Sequence, residues 1–230
     1  MARRGVDAAG EAMAELQSCH IMWLPYVEYH LRALPGFLRV QPWLEAAALR
    51  DWKRTRRPPP PRSVKAVAIR RHATAARRVF VESGTFFGDM VAAVRPAFDR
   101  LFSIELSPRL ARGAQRRFAA DGAVTILEGD SGALLGPLLR SVGAPAVLWL
   151  DGHYSGWLTA RGETDTPVRR EIEAALECGT PDDVLLIDDA RLFGSDPAYP
   201  LLEDLFNLVR SRRPGWELRL EDDIVRVSGI

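Results

Sequence analysis

The chain has 230 residues, 47% of them hydrophobic and 27% charged, with a formal net charge of +1. That is room for one large domain or a domain with an appendage, and the balanced charge gives no overall pull toward nucleic acid or a membrane surface. Two cysteines, Cys19 and Cys178, stand far apart without metal-type spacing, which excludes a disulfide framework and suits a reducing compartment. Asp7, Glu11 and Glu15 interrupt any apolar leader, and no run of about 18 apolar residues is present. The expectation is a cytoplasmic protein with neither signal peptide nor membrane span.

In chain order, 7–19 and 21–52 read as helical, with Pro25, Pro35 and Pro42 cutting the region into short pieces. Four consecutive prolines at 58–61 form a stiff extended linker. The reading is therefore a helical appendage over 1–62 and a main domain over 63–230. Ser63 is the expected N-cap of a helix through Ala76. Strand patterns follow at 79–82, 101–105, 124–127, 146–150 and 184–188, alternating with helices at 88–95, 107–119, 131–141 and 167–177. The last of these starts with Thr166 as N-cap and Pro167 at its first position. Alternating strands and helices predict a mostly parallel, doubly wound α/β sheet of Rossmann-like type. Runs such as Ala146-Val-Leu-Trp-Leu150 are apolar throughout, as strands buried on both faces should be. After a helix at 200–211, the strands 216–220 and 224–227 flank a turn at Glu221-Asp222 and form a C-terminal antiparallel β-hairpin.

Parallel sheets bind ligands at the carboxyl ends of their strands. The first strand ends in Glu82 and a glycine turn, Glu82-Ser-Gly-Thr-Phe-Phe-Gly88, and the second ends 23 residues later in Glu105. Gly84 permits a sharp turn and Gly88 lets a helix begin beside a ligand. Glu105 is placed to accept from a ribose diol. Asp130 in Gly129-Asp130-Ser131 is placed to accept from an adenine amino group, with the Ser131 N–H donating to the ring. A dinucleotide site would show Gly-x-Gly-x-x-Gly, whose middle glycine admits a pyrophosphate. Here that position is Phe86, and Glu82 would repel phosphates while suiting an ammonium.

Those residues, with Asp151 and the terminal hairpin, resemble the class I S-adenosylmethionine-dependent methyltransferases over roughly 63–230. Asp151-Gly-His-Tyr-Ser-Gly156, Asp165-Thr-Pro167 and Leu186-Ile-Asp-Asp-Ala-Arg-Leu-Phe193 resemble more narrowly a group of this class without a settled substrate. Trp157 stands where many of that group carry a second glycine. The resemblance implies S-adenosylmethionine as cofactor. Glu82 and Gly84 would meet its methionine end together with Ser83, Thr85, Gly88 and Asp151. Glu105 would hold the ribose, and Asp130 and Ser131 the adenine.

Asp151 follows the fourth strand, and Asp188 and Asp189 follow the fifth. Adjacent strands lie about 4.8 Å apart, so the three carboxylates converge and need neutralising. One answer is Mg²⁺ held by Asp151, Asp188 and Asp189, as in metal-dependent O-methyltransferases of the catechol and macrocin types. The other is pairing of the aspartates with Arg191 or His153. His153, beside Asp151, is the candidate general base, and 155–165 reads as a lid. The segment 53–78 carries ten Lys/Arg and no acid. It reads as a solvated linker and helix face, or as an arm folded over the strand ends, in preference to an RNA-binding surface. The functional expectation is O-methylation of a small-molecule hydroxyl, with RNA methylation or a nonenzymatic cofactor-binding role as alternatives. Homo-oligomerisation is left open.

Overall fold

The structure, a computed structural model, describes residues 37–152 and 166–229. His153, Tyr154, Trp157, the segment 155–165 and the helices expected before residue 37 lie outside the described residues. Among the described residues no helix is long and apolar enough to cross a membrane.

One seven-stranded sheet organises the chain. Its strands are β1 (Val79–Ser83), β2 (Arg100–Glu105), β3 (Val124–Glu128), β4 (Ala146–Leu150), β5 (Val184–Ile187), β6 (Trp216–Glu221) and β7 (Ile224–Gly229). They lie in the order β3-β2-β1-β4-β5-β7-β6. The first five are parallel, and β7 runs antiparallel to both β5 and β6. The doubly wound sheet and its C-terminal hairpin are as the apolar runs predict. The hairpin turn falls on Asp222-Asp223, one residue later than expected, because both aspartates adopt positive φ, 54° and 60°. That is the tight turn whose twist matches paired strands.

The helices are α1 (Phe37–Thr55), α2 (Arg62–Arg70), α3 (Asp89–Val94), α4 (Pro108–Arg117), α5 (Ser131–Val142), α6 (Val168–Cys178) and α7 (Leu202–Arg212). Side chains alternate along the central strands and divide the core in two. Val79, Val81, Leu148, Leu150, Leu185 and Ile187 meet α5, α6 and α7 on one face. Phe80, Val147, Trp149, Val184 and Leu186 meet α2 and α3 on the other. This is why the strands show no polar alternation in sequence.

Three helix boundaries depart from expectation. Pro42 lies inside α1 rather than ending a helix. Its fixed φ is helical, so continuing costs one hydrogen bond and local crowding rather than the fold. Ser63 is not a cap: α2 begins at Arg62, with Pro61 at the cap position, and ends at Arg70. The Ser63 N–H is instead capped from outside by Glu45 Oε1 of α1 at 2.7 Å, a carboxylate at a positive helix end. In α6, Pro167 takes the cap position, while Thr166 Oγ1 accepts from the Val168 N–H at 3.3 Å.

Leu148 is wholly buried in the central strand β4. Leu148→Ala is expected to cost about 2–5 kcal/mol, read as a fall in the chemical-denaturation midpoint with unchanged slope.

Candidate active site

The connections of β1 and β4, neighbours in the sheet, run to opposite sides, so their carboxyl ends bound the crevice where such sheets bind ligands. Gly84 sits in that crevice at φ +81°, and a Cβ there would meet the Asp151 carbonyl oxygen at 2.4 Å. The position tolerates only glycine. Gly88, at φ +78°, caps α3, and its missing side chain leaves room for the Phe118 ring, 2.6 Å from where a Cβ would lie.

The two strand-end glutamates are both buried but differently held. Glu82 is 1% exposed and accepts from Ser103 Oγ at 2.6 Å. Ser103 Oγ in turn lies 2.6 Å from Thr85 Oγ1, which links β1, its following loop and β2 by hydroxyls. Burial pushes Glu82 well above the usual carboxylate range, against the opposing hydrogen bond from Ser103. Glu105 accepts the Phe86 N–H on Oε2 at 2.8 Å and the Ser107 N–H on Oε1 at 2.9 Å. Burial raises it and these two bonds pull back. Phe86 itself takes a left-handed φ of 50°, uncommon for a bulky residue, and that turn aims its N–H at Glu105.

Asp130 and Ser131 lie at the β3 end as expected, with side chains turned to the scaffold. Asp130 Oδ1 caps α5 through the Gly132 N–H at 2.7 Å, and Oδ2 pairs with Arg170 Nη2 at 3.0 Å. Ser131 Oγ donates to Glu171 Oε1 at 2.5 Å. Glu171 went unrecognised in the sequence. It is fully buried in α6, where it also bonds Ser83, and its Oε2 has no hydrogen-bond partner among the described residues. Burial raises it to about 7, opposed by Ser131 and Ser83. A carboxylate in the stripe Val168, Glu171, Ile172, Ala175, all buried, is the signal that could have exposed it. The Asp151 N–H donates to Ser83 Oγ at 3.2 Å, so Glu171 ties the ends of β1, β3 and β4 together.

Asp151, Asp188 and Asp189 do converge: one carboxylate oxygen from each lies within 4.8 Å of the others. Lys65 of α2, a second residue that sequence did not single out, forms an ion pair with Asp188. Asp189, at φ 57°, pairs with Arg191 Nη1 at 2.8 Å, and Arg191 also pairs with Asp223. Burial alone would lower the Lys65 ammonium; the carboxylates of Asp188, Asp151 and Asp189 outweigh it and hold it raised. Burial and Asp151 push Asp188 upward, with Lys65 opposing. Tyr199, missed as well, packs edge-on against Phe193 at 5.3 Å; burial and then Asp189 raise its hydroxyl, which bonds Thr166.

The basic segment is divided: Lys53, Arg54, Arg56, Arg57, Arg70 and Arg71 are exposed, while Arg62 and Lys65 reach the strand ends. Arg62 pairs with Asp89 at 2.7 Å and with Glu45 at 3.6 Å, Arg78 pairs with Asp99, Arg56 with Asp222, and Arg77 donates to the Asp182 carbonyl. Pro60, Arg62 and Lys65 wall one side of a pocket of about 190 Å³ whose other side is Glu82, Gly84, Thr85, Phe86 and Asp151.

No protein-family model matches the chain, and no curated protein matches it. Solved structures do. The O-methyltransferase TomG from Streptomyces achromogenes, involved in tomaymycin synthesis and solved with S-adenosylmethionine, superposes at a TM-score of 0.50 and 18% identity, over 80% of this chain and 87% of that one. The Podospora anserina methyltransferase PaMTH1, solved with S-adenosylhomocysteine, gives 0.53 and 11% identity over 100% and 98%. A Bacillus cereus O-methyltransferase with the same product gives 0.50 and 14% over 73% and 80%. The fold is the Rossmann-like one of these methyltransferases.

Two outcomes are expected from this geometry. Gly84→Ala should lower the melting temperature and disorder the crevice, since its Cβ has no space. For Glu171, a folded-state value above the unfolded one means the native protein holds the proton more tightly, so its contribution to stability is full below about pH 4.5 and falls away as pH rises toward about 7. Glu171→Gln, compared with wild type in denaturant melts between those limits, should show a flatter decline and greater relative stability at neutral pH.

Proposed function

We propose that the protein is an S-adenosylmethionine-dependent methyltransferase that O-methylates a hydroxyl of a small molecule. The observation that carries this reading is the crevice at the ends of β1, β2 and β4, where buried Glu82 and Glu105 flank a loop that only Gly84 can turn. The 190 Å³ pocket suits the methionine end, because it is lined by both signs: Glu82 and Asp151 for the ammonium, Arg62 for the carboxylate. Glu105, already fixed by two backbone donors, keeps lone pairs for a ribose diol. Asp130 and Ser131 frame the adenine end through the backbone they position. When bound, S-adenosylmethionine supplies a methyl group on a sulfonium, so the protein's own work is alignment and proton removal.

Asp151, at the β4 end, lines that pocket and in this reading stabilises the positive charge of the bound cofactor. His153, two residues on, takes the acceptor proton in this reading. That two of the superposed enzymes are O-methyltransferases supports a hydroxyl as acceptor. Asp151, Asp188 and Asp189 are of the right kind for Mg²⁺, but Asp188 and Asp189 are already ion-paired with Lys65 and Arg191. The occupied set fits a divalent ion poorly, and no step is routed through one.

Calorimetric titration with S-adenosylhomocysteine tests the reading directly. Saturable binding is expected, weakened roughly tenfold or more in Glu105→Ala through loss of charge-assisted hydrogen bonds. Wild-type protein that takes up no S-adenosylhomocysteine would end the proposal.

A further inference from the structure

We propose that Lys65 of α2 is the resident cation of the acidic cluster at the ends of β4 and β5, filling the place a divalent metal would take, so the site is built to work without one. The inference rests on the active-site reading above.

The need for a cation comes from burial. Asp188 is 3% exposed and Asp189 5% exposed, and both lie within 4.8 Å of a carboxylate oxygen of Asp151. Carboxylates so close and so dry require compensating charge. Arg191 serves Asp189 from one side, but its guanidinium is shared with Asp223. The charge facing Asp188 comes from Lys65, whose side chain is 15% exposed against 2% for Asp188. The Trp149 ring, 5.9 Å from the ammonium, completes the seat with a face that favours a cation.

That ammonium is placed by the fold rather than by chance. Ala66 and Ile69, one and four residues after it in α2, are buried in the core cluster that also holds Phe80 and Trp149. One turn before, Arg62 anchors the same helix to Asp89 of α3 and Glu45 of α1. The helix start is pinned again by Glu45 at the Ser63 N–H. Lys65 therefore projects from a helix fixed at both its apolar face and its first turn. A metal entering the cluster would have to displace an ammonium that the whole helix holds in place.

The consequence is specific to the charge type. A lysine neutralises one carboxylate and offers donors only, whereas a divalent ion would bring open coordination positions. The acceptor oxygen would then meet a hydrogen-bond donor instead of a Lewis acid.

Manganese titration calorimetry on the full chain tests this, with wild type, Lys65→Met and Lys65→Met/Asp188→Asn, each checked for folding by circular dichroism. Wild type is expected to give no saturable uptake. Lys65→Met should gain one site, tighter than any wild-type uptake by at least about tenfold, and Asp188→Asn should abolish it. Asp188-dependent uptake by wild type, or no gain in folded Lys65→Met, overturns the proposal. Should Lys65→Met not fold, wild type against Asp188→Asn decides: Asp188-dependent uptake refutes it, and none upholds it. S-adenosylhomocysteine binding is read separately, so failure of the methyltransferase reading stays distinguishable from failure of this one.

Discussion

Burying acid at the carboxyl ends of a parallel sheet is the constraint from which the rest of the site follows. Glu82, Glu105, Glu171, Asp188 and Asp189 are all nearly inaccessible to water, and each must be satisfied inside the protein. The chain uses a different device for each. Glu82 receives a serine hydroxyl, Glu105 two backbone N–H groups, Glu171 two serine hydroxyls, Asp188 an ammonium and Asp189 a guanidinium. Because those partners come from β2, the β1 loop, α5, α2 and the segment after β5, satisfying the acids also fixes the elements that enclose the crevice.

The same demand for compensating charge accounts for the position of the segment ahead of β1. Four of its cations are directed to carboxylates of the main sheet unit: Arg62 to Asp89, Arg78 to Asp99, Lys65 to Asp188 and Arg56 to Asp222. Its apolar residues finish one face of the core through Ala66, Ala68 and Ile69. The helix before the first strand is thus both a wall of the pocket and a source of its positive charge. Removing a partner from a buried ion pair such as Lys65–Asp188 leaves a charge that costs about 3–5 kcal/mol, so this wall is not dispensable to the sheet.

Sequence made the sheet legible because its strands are buried on both faces, and an unbroken apolar run such as Val184-Leu-Leu-Ile187 has no place in a strand with a wet face. The glycine loop and Glu105 were legible because turn chemistry and strand-end position are local properties. The convergence of Asp151 with Asp188 and Asp189 followed from strand adjacency alone. Lys65 was not legible: it lies 123 positions from Asp188, in a stretch of ten similar charges, and nothing local distinguishes a buried lysine from a solvated one. Ser63 misled because its donor is capped by Glu45, again a tertiary partner. Asp130 fits its expected place but commits its carboxylate to Gly132 and Arg170, which only the packed arrangement of α5 and α6 reveals.

The order of the last strands has a consequence for how the chain reaches this state. β7 inserts between β5 and β6, pairing Val184–Ile187 with residues near the far end of the sequence. Until that strand arrives, β5 is an open edge of consecutive apolar residues beside the acidic cluster, a template for pairing with another chain. A polypeptide in which β5 has formed and β7 has not therefore exposes that edge. Pairing of β7 along β5 removes that edge and leaves β6 to border the sheet.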